Sequence, residues 1–178
     1  MSAIPAMSVN PAAKRHTVVD SPYGPLTLVA TDGLLSGLYM TEQRHRPPDE
    51  TFGEPDPRPF GQVREELTAY FDGGLTEFTV ELHLVGTPFQ RTVWEQLRQI
   101  PYGETRSYGD LADRLGRPGA ARAVGLANGK NPVGIIVPCH RVIGSTGGLT
   151  GYGGGLDRKQ RLLAFESGGA GPEEYALF

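Results

Sequence analysis

The apolar pattern of this chain changes its period at Gly86. Before that glycine, apolar side chains come in short, often alternating runs broken by Pro, Gly and Asp; after it they recur every three to four residues. Alternation suits half-buried strands and the longer period suits amphipathic helices, so the two parts must fold differently. The expected fold class is α+β. A small amino-terminal domain with an antiparallel sheet and a helix is expected over residues 14–85, and a mainly helical carboxy-terminal domain over residues 86–166. Residues 1–13 lack periodicity and are expected to be a disordered extension, with 167–178 a tail.

In the first part, three short runs, at residues 16–19, 26–30 and 34–40, read as an antiparallel meander, with Asp32-Gly33 supplying the tight turn before the third. Residues 41–59 hold five prolines and predict a surface loop. Val63, Leu67, Tyr70 and Phe71 share one helical face that Gly73-Gly74 closes. Phe78, Val80, Leu82 and Leu84 then alternate as a strand, leaving His83 on its outer face without a second ligand at metal spacing. This part carries no catalytic constellation of its own and reads as a support domain.

Beyond Gly86, Thr87 is a good N-cap and Pro88 a good first helical residue. Phe89, Val93, Leu97 and Ile100 form the buried stripe of that helix, with Trp94 on its flank. Ser107 and Asp110 read as a capping box for a short helix bearing Tyr108, Leu111, Ala112 and Leu115. After Arg117-Pro118, a second helix from Gly119 to Asn128 turns Ala120, Ala123, Val124 and Ala127 inward and Ala121, Arg122, Gly125 and Asn128 outward. That outer face is slim and carries one long cation. It suits entry into a narrow groove, whereas a major-groove reader would present several long polar side chains. In the last helix Asp157 is the expected N-cap, and Glu166 falls on the same face as Leu162 and Leu163. A carboxylate there is costly unless a buried histidine or arginine meets it.

Cys139 is the single cysteine of the chain, preceded by Ile135-Ile136-Val137-Pro138 and followed by His140 and Arg141. A thiol becomes a nucleophile as thiolate, and neighbouring cations lower its pKa. One cysteine permits no internal disulfide and no multi-cysteine zinc site, which fits a reducing compartment and suggests the cytoplasm. No apolar run has membrane-spanning length and no export signal is evident. Net charge is -3, yet residues 101–165 hold nine Lys and Arg against four Asp and Glu, while residues 1–100 hold eight against thirteen. Such asymmetry is expected when one domain meets phosphates. Gly144 to Gly155 contains seven glycines and lacks the Lys-Ser/Thr pair of a nucleotide-binding loop; with Tyr152 on it, it suits closure over a flat substrate.

Pro138-Cys139-His140-Arg141, Glu166, Tyr108, the Ala-Ala-Arg-Ala-Val-Gly run at 120–125, Asn131-Pro132 and Gly151-Tyr152 occur in the order and spacing of the O6-alkylguanine-DNA alkyltransferases, which this chain resembles from about Thr87 to Glu166. The amino-terminal part is similar more loosely, through its Ser-Pro-Tyr-Gly-Pro-Leu run. The resemblance implies a ribonuclease H-like first domain and a winged-helix-like helix-turn-helix in the second. It implies repair of double-stranded DNA containing alkylated guanine, and O4-alkylthymine as well. The base flips out from the minor groove and its alkyl group moves irreversibly to Cys139. On this reading Arg122 fills the space left in the duplex, and Ser107, Tyr108, Ala121 and Gly125 share the DNA face. Val137, Val142, Ser145, Tyr152 and Gly153 form the pocket, Tyr108 helps protonate the departing guanine, and Asn131 orients Tyr108 or the active-site loop.

The local chemistry agrees. Consecutive side chains in extended backbone diverge, so a direct bond between the Cys139 thiol and His140 is difficult and a water is the natural relay; Glu166 then holds the other ring nitrogen. Arg141 is expected to brace the domain. An S-alkyl cysteine has a poor leaving group and no second thiol exists to accept it, so one reaction per molecule is expected. The resemblance implies no cofactor, no membrane partner and a chain monomeric in solution, with adjacent binding on DNA left open. Some members hold zinc through amino-terminal cysteines; this chain has none there, so no metal is expected. Gly153 stands where some relatives carry serine. The competing readings are a cysteine hydrolase built on Cys139, His140 and Glu166, and a non-catalytic binder of alkylated DNA, which would lack the cysteine.

Overall fold

The computed structural model describes residues 13–144 and 155–168. Strands β1 (Lys14–Val19), β2 (Leu26–Thr31) and β3 (Leu34–Met40) form the expected antiparallel meander, β1 pairing Lys14 with Thr31 and β3 pairing Met40 with Leu26. Asp32 and Gly33 both have positive φ, 52° and 85°, as a tight hairpin turn requires. Ala13 is tied to this turn, its N–H donating to Asp32 Oδ1 at 3.0 Å.

Residues 41–59 do more than cover the surface. A 3-10 turn at Asp49–Phe52 buries Phe52, which stacks on Tyr39 with ring centroids 5.5 Å apart. The chain then adds a two-residue strand, β4 (Glu54–Pro55), parallel to β1, giving the order β3-β2-β1-β4. Central strand β2 is therefore buried along its whole length. Helix α1 (Gly61–Phe71) packs Val63, Leu67 and Tyr70 into the core.

The strand expected over 78–84 does not form. Its residues are half-buried against the core, but the backbone makes a single bridge, Leu82 to Leu35, with His83 N–H donating to Leu35 O at 2.8 Å. Glu66 explains the loss of the ladder: its carboxylate accepts the N–H groups of Thr79 and Val80 at 2.9 and 3.2 Å and the Thr79 hydroxyl at 2.5 Å. Backbone donors satisfied by a side chain are unavailable to a neighbouring strand.

Helix α2 (Pro88–Arg98) begins with a full capping box between Thr87 and Gln90. Trp94 is not on the flank of its buried face. It is 1% exposed and donates its indole N–H to Ala127 O at 2.9 Å, pinning α2 to the helix that contains Ala127. The helix-turn-helix consists of α3 (Tyr108–Arg114), capped by Ser107 and Asp110 as expected, and α4 (Ala121–Gly129). In α4 the inward set is Val124, Ala127 and Asn128; Ala123 is exposed, the reverse of the expectation for Ala123 and Asn128. Starting the helix at Ala121 rather than Gly119 goes with a stripe of i, i+3, i+4 spacing from Val124.

Short strands β5 (Arg106–Ser107) and β6 (Val142–Ile143) pair in parallel. The final helix, α5 (Leu156–Glu166), is preceded by Gly155 at φ 98° instead of an Asp157 cap; Asp157 lies in the first turn, where its charge complements the helix dipole. Three side chains of α5 reach elements of the first part. Arg158 donates to Thr41 O at 2.9 Å, Arg161 donates to Pro22 O at 2.9 Å with its guanidinium 4.5 Å from the Tyr23 ring centroid, and Glu166 meets Tyr70. One continuous apolar core runs through both parts. Among the described residues no helix is long and apolar enough to cross a membrane.

Candidate active site

Cys139 opens a 3-10 turn, Cys139–Arg141, set between segment 131–138, buried except at Pro132, and β6. The backbone here is helical in sense rather than extended. Consecutive side chains on a 3-10 turn still point about 120° apart. Segment 131–138 turns sharply: Ile136 N–H donates to Gly134 O at 2.7 Å and Cys139 N–H to Val137 O at 2.8 Å. Ile135 is buried with φ at 70°, a conformation that a β-branched side chain holds only under constraint from its surroundings.

Asn131 supplies part of that constraint. Its amide N–H2 donates to Val137 O at 2.8 Å and its Oδ1 accepts from Val133 N at 3.0 Å, spanning the turn. The same amide favours ionisation of the Cys139 thiol. Of the two tasks expected for Asn131, these contacts bear on the bracing of segment 133–137. Asn128, facing inward, donates to Cys139 O at 3.4 Å.

His140, Arg141 and Glu166 form an ionisable cluster beside the turn. His140 Nε2 and Glu166 Oε2 are 2.8 Å apart, both side chains 1% exposed or less. Arg141 donates through Nε to Glu166 Oε1 at 2.7 Å and through Nη2 to Oε2 at 3.0 Å, while its Nη1 donates to Ile100 O at 2.7 Å. Burial works against ionisation of Glu166, but the charges and hydrogen bonds of His140 and Arg141 outweigh it and hold the carboxyl at about 2. Glu166 is thus an acceptor only, and His140 Nε2 must carry the proton between them. The other ring nitrogen, Nδ1, is buried and has no hydrogen-bond partner among the described residues.

Around the thiol the balance is different. Burial pushes the Cys139 thiol up, opposed by the Asn131 amide and by the charge of Lys159. Lys159 is fully buried on α5, and burial brings its ammonium down to about 8 although Cys139 pulls the other way. The sequence expectations missed Lys159, yet a signal existed: it lies three, four and seven residues before Leu162, Leu163 and Glu166, on their apolar stripe. Tyr70, 96 residues from Glu166, donates its hydroxyl to Oε2 at 2.5 Å and was equally missed; no local pattern announces such a contact.

The expected DNA-facing residues occupy one region. Arg122 is exposed on α4, Ala121 is half-buried, and Gly125 faces the Tyr108 ring, to which an added Cβ would come within 3.7 Å. Ser107 is committed to capping, its Oγ accepting from Asp110 N at 3.0 Å. Leu126 is 66% exposed beside Arg122 and Ala123, so the outer face is less slim than the sequence implied. Val137 and Val142 are fully buried next to Cys139. Ser145, Tyr152 and Gly153, and with them most of the glycine-rich stretch, lie outside the described residues, as do residues 1–12 and 169–178.

Comparison with known proteins agrees with this arrangement. The DNA-binding domain of 6-O-methylguanine DNA methyltransferase matches residues 88–168, and the ribonuclease-like domain of the same family matches residues 14–84. The methylated-DNA--protein-cysteine methyltransferase of Mycobacterium tuberculosis strain H37Rv is 57% identical over 163 residues, which cover 92% of this chain and 98% of that protein. The one from Methanosarcina acetivorans is 46% identical over 152 residues, 85% and 97% of the two chains. The crystal structure of Mycobacterium tuberculosis OGT in complex with DNA superposes with a TM-score of 0.88 at 55% identity, over 92% of this chain and 99% of that one. With both parts matched in order and relatives aligned along nearly their full length, this chain belongs to the 6-O-methylguanine DNA methyltransferase family.

Proposed function

We propose that this chain repairs O6-alkylguanine in double-stranded DNA by moving the alkyl group, once and irreversibly, to Cys139. Its relatives are methylated-DNA–protein-cysteine methyltransferases acting as DNA repair enzymes, and it shares their activity. The observation that carries the finer reading is the turn that places a buried thiol next to a histidine whose far nitrogen is saturated by Glu166.

In the proposed reaction Cys139 loses its proton to His140. Nε2 is engaged with Glu166, so Nδ1 is the nitrogen left to accept, and a water between Nδ1 and the sulfur relays the proton. Glu166 stabilises the imidazolium that results. The thiolate attacks the alkyl carbon, the S–C bond forms as the C–O6 bond breaks, and the guanine leaves with its electron pair, protonated with help from Tyr108. Asn131 and Lys159 favour the thiolate against the burial that opposes it. Attack at O4-alkylthymine follows the same bond changes. Because the thioether has no good leaving group, the protein is consumed in one turnover.

To present the base, α4 enters the minor groove and Arg122 takes the place of the flipped nucleotide, with Ala121, Gly125, Ser107 and Tyr108 along the backbone. Val137, Val142, Ser145, Tyr152 and Gly153 line the base pocket. A reactive free thiol is suited to a reducing compartment, which supports work in the cytoplasm.

Intact-protein mass spectrometry after incubation with O6-methylguanine DNA tests the proposal. One added methyl on Cys139, absent in Cys139→Ala, is the expected result. Release of more than one equivalent of guanine per protein would overturn the single turnover, and no adduct at all would overturn the reading. A cysteine hydrolase would turn over on esters or amides with no lasting adduct.

A further inference from the structure

We infer that Tyr70, on the helix of the first domain, is a positioning residue for alkyl transfer, acting through Glu166 on His140. This rests on the proposed reaction at Cys139. The first domain then does more than support: it supplies one of the hydrogen bonds that fix the catalytic carboxylate.

Glu166 Oε2 receives three donors, Tyr70 OH at 2.5 Å, His140 Nε2 at 2.8 Å and Arg141 Nη2 at 3.0 Å, while Oε1 receives Arg141 Nε at 2.7 Å. The groups facing this carboxylate are Tyr70 from α1, Tyr102 from the segment after α2, and His140 and Arg141 from the 3-10 turn. Tyr70 is 0% exposed and wedged among the rings of Phe71, Phe78, Tyr102 and Phe165, at centroid distances of 5.2 to 6.2 Å. Burial, with the Glu166 charge beside it, raises the phenol well above its ordinary value, so it remains an O–H donor wherever the protein is folded. A buried tyrosine needs a partner for its hydroxyl, and many acceptors would do. This one is spent on the same oxygen that holds His140.

Sharing has a direction. A phenol donating to Oε2 draws off charge that would otherwise fall on the imidazolium. Without it, Glu166 binds the protonated ring more tightly and is also less fixed in place. The first effect makes His140 slower to give up its proton; the second weakens the alignment on which relay to the thiol depends.

The test is the pH–rate profile for methyl transfer from O6-methylguanine DNA to Cys139, read by mass on the full chain. Tyr70→Phe keeps the ring and its aromatic neighbours. It is expected to move the acid limb upward by roughly half a pH unit, the scale of losing one of several hydrogen bonds to a charged carboxylate, and to slow transfer several-fold at neutral pH. Phe78→Leu loosens packing around the same ring without touching the hydroxyl; it should lower the melting temperature and leave the profile in place. An unshifted profile in Tyr70→Phe, or an equal shift in Phe78→Leu, would overturn the inference. Should Tyr70→Phe not fold, the wild-type protein decides: a far-downfield phenolic proton resonance that is lost in Glu166→Gln supports the bond, and its absence in the wild type refutes it. Failure of the wild type itself to acquire a methyl group would refute the reaction instead.

Discussion

Glu166 and His140 share a buried hydrogen bond of 2.8 Å across 26 residues of sequence, and Arg141 grips the same carboxylate through both of its oxygens. The acid held at about 2 makes this a stability element besides the catalytic role proposed for it. A depressed carboxyl stabilises the fold above its unfolded value and loses that contribution as pH falls through the folded value. Glu166 therefore contributes from above about pH 4.5 and loses its contribution toward about pH 2, a difference of roughly 2–3 kcal/mol. Glu166→Gln should flatten that segment of the stability–pH curve, measured by urea unfolding at stepped pH. It should also leave His140 without its anion and slow methyl transfer at least tenfold, in line with loss of a general-base orienter. An unchanged acid slope would mean the carboxyl titrates normally in the fold.

Lys159 and Cys139 depend on each other in the opposite sense. Each pays for burial, and each charge favours the other. Lys159→Met should remove the cation without opening a cavity, leaving the thiol harder to ionise. The expected outcome is a roughly tenfold slower reaction of Cys139 with free O6-benzylguanine at pH 7, with the gap closing as pH rises. A constant ratio of rates across pH would show that Lys159 acts through packing alone.

How much of this was legible in the sequence depends on the range over which each contact is specified. Capping residues Thr87 and Ser107, the Asp32-Gly33 turn and the Val63-Leu67-Tyr70 stripe act within a few residues, and the structure has them as read. Glu166 on an apolar face was a correct local warning of a buried partner, and the i+3 and i+4 pattern held Lys159 in plain view. The Phe78 to Leu84 alternation misled because a strand needs free backbone donors, and Glu66, twelve residues back from Phe78, takes two of them. Asn128, a polar residue in a short helix, reads as outward from sequence alone, whereas its amide is directed at the Cys139 carbonyl. The Tyr70 contact to Glu166 spans the two domains and exists only once the fold is assembled.

Gly86 stands where the period of the chain changes, and the structure gives it a second constraint. A Cβ on it would lie 2.5 and 2.7 Å from Trp94 ring atoms and 2.8 Å from Gln90 Oε1. The indole cannot retreat without losing its hydrogen bond to Ala127 O, which joins α2 to α4. Gly86→Ala should therefore destabilise by roughly 1–3 kcal/mol, the usual cost of overpacking, read as a lower urea midpoint with an unchanged slope. A neutral or stabilising result would mean that the linker shifts freely and that Trp94 is not held in place.

Arg122 and Cys139 should separate cleanly by substrate. Arg122 is exposed on α4; in the proposed reaction it takes no part in the chemistry at sulfur, and duplex DNA has to give up a stacked base before the thiol can reach it. Unstacking costs a few kcal/mol, and a side chain that fills the gap returns part of it. Arg122→Ala is thus expected to slow repair of O6-methylguanine in duplex DNA by roughly tenfold or more, while its reaction with free O6-benzylguanine stays within about twofold of wild type. The ratio of the two rates is the measurement. Because the free base has no duplex to leave, an equal loss on both substrates would place Arg122 in the fold or the pocket and end its role as the finger. Equal retention on both would place the work of holding the duplex open elsewhere on the same face, with Leu126, exposed one turn further along, the next residue to replace.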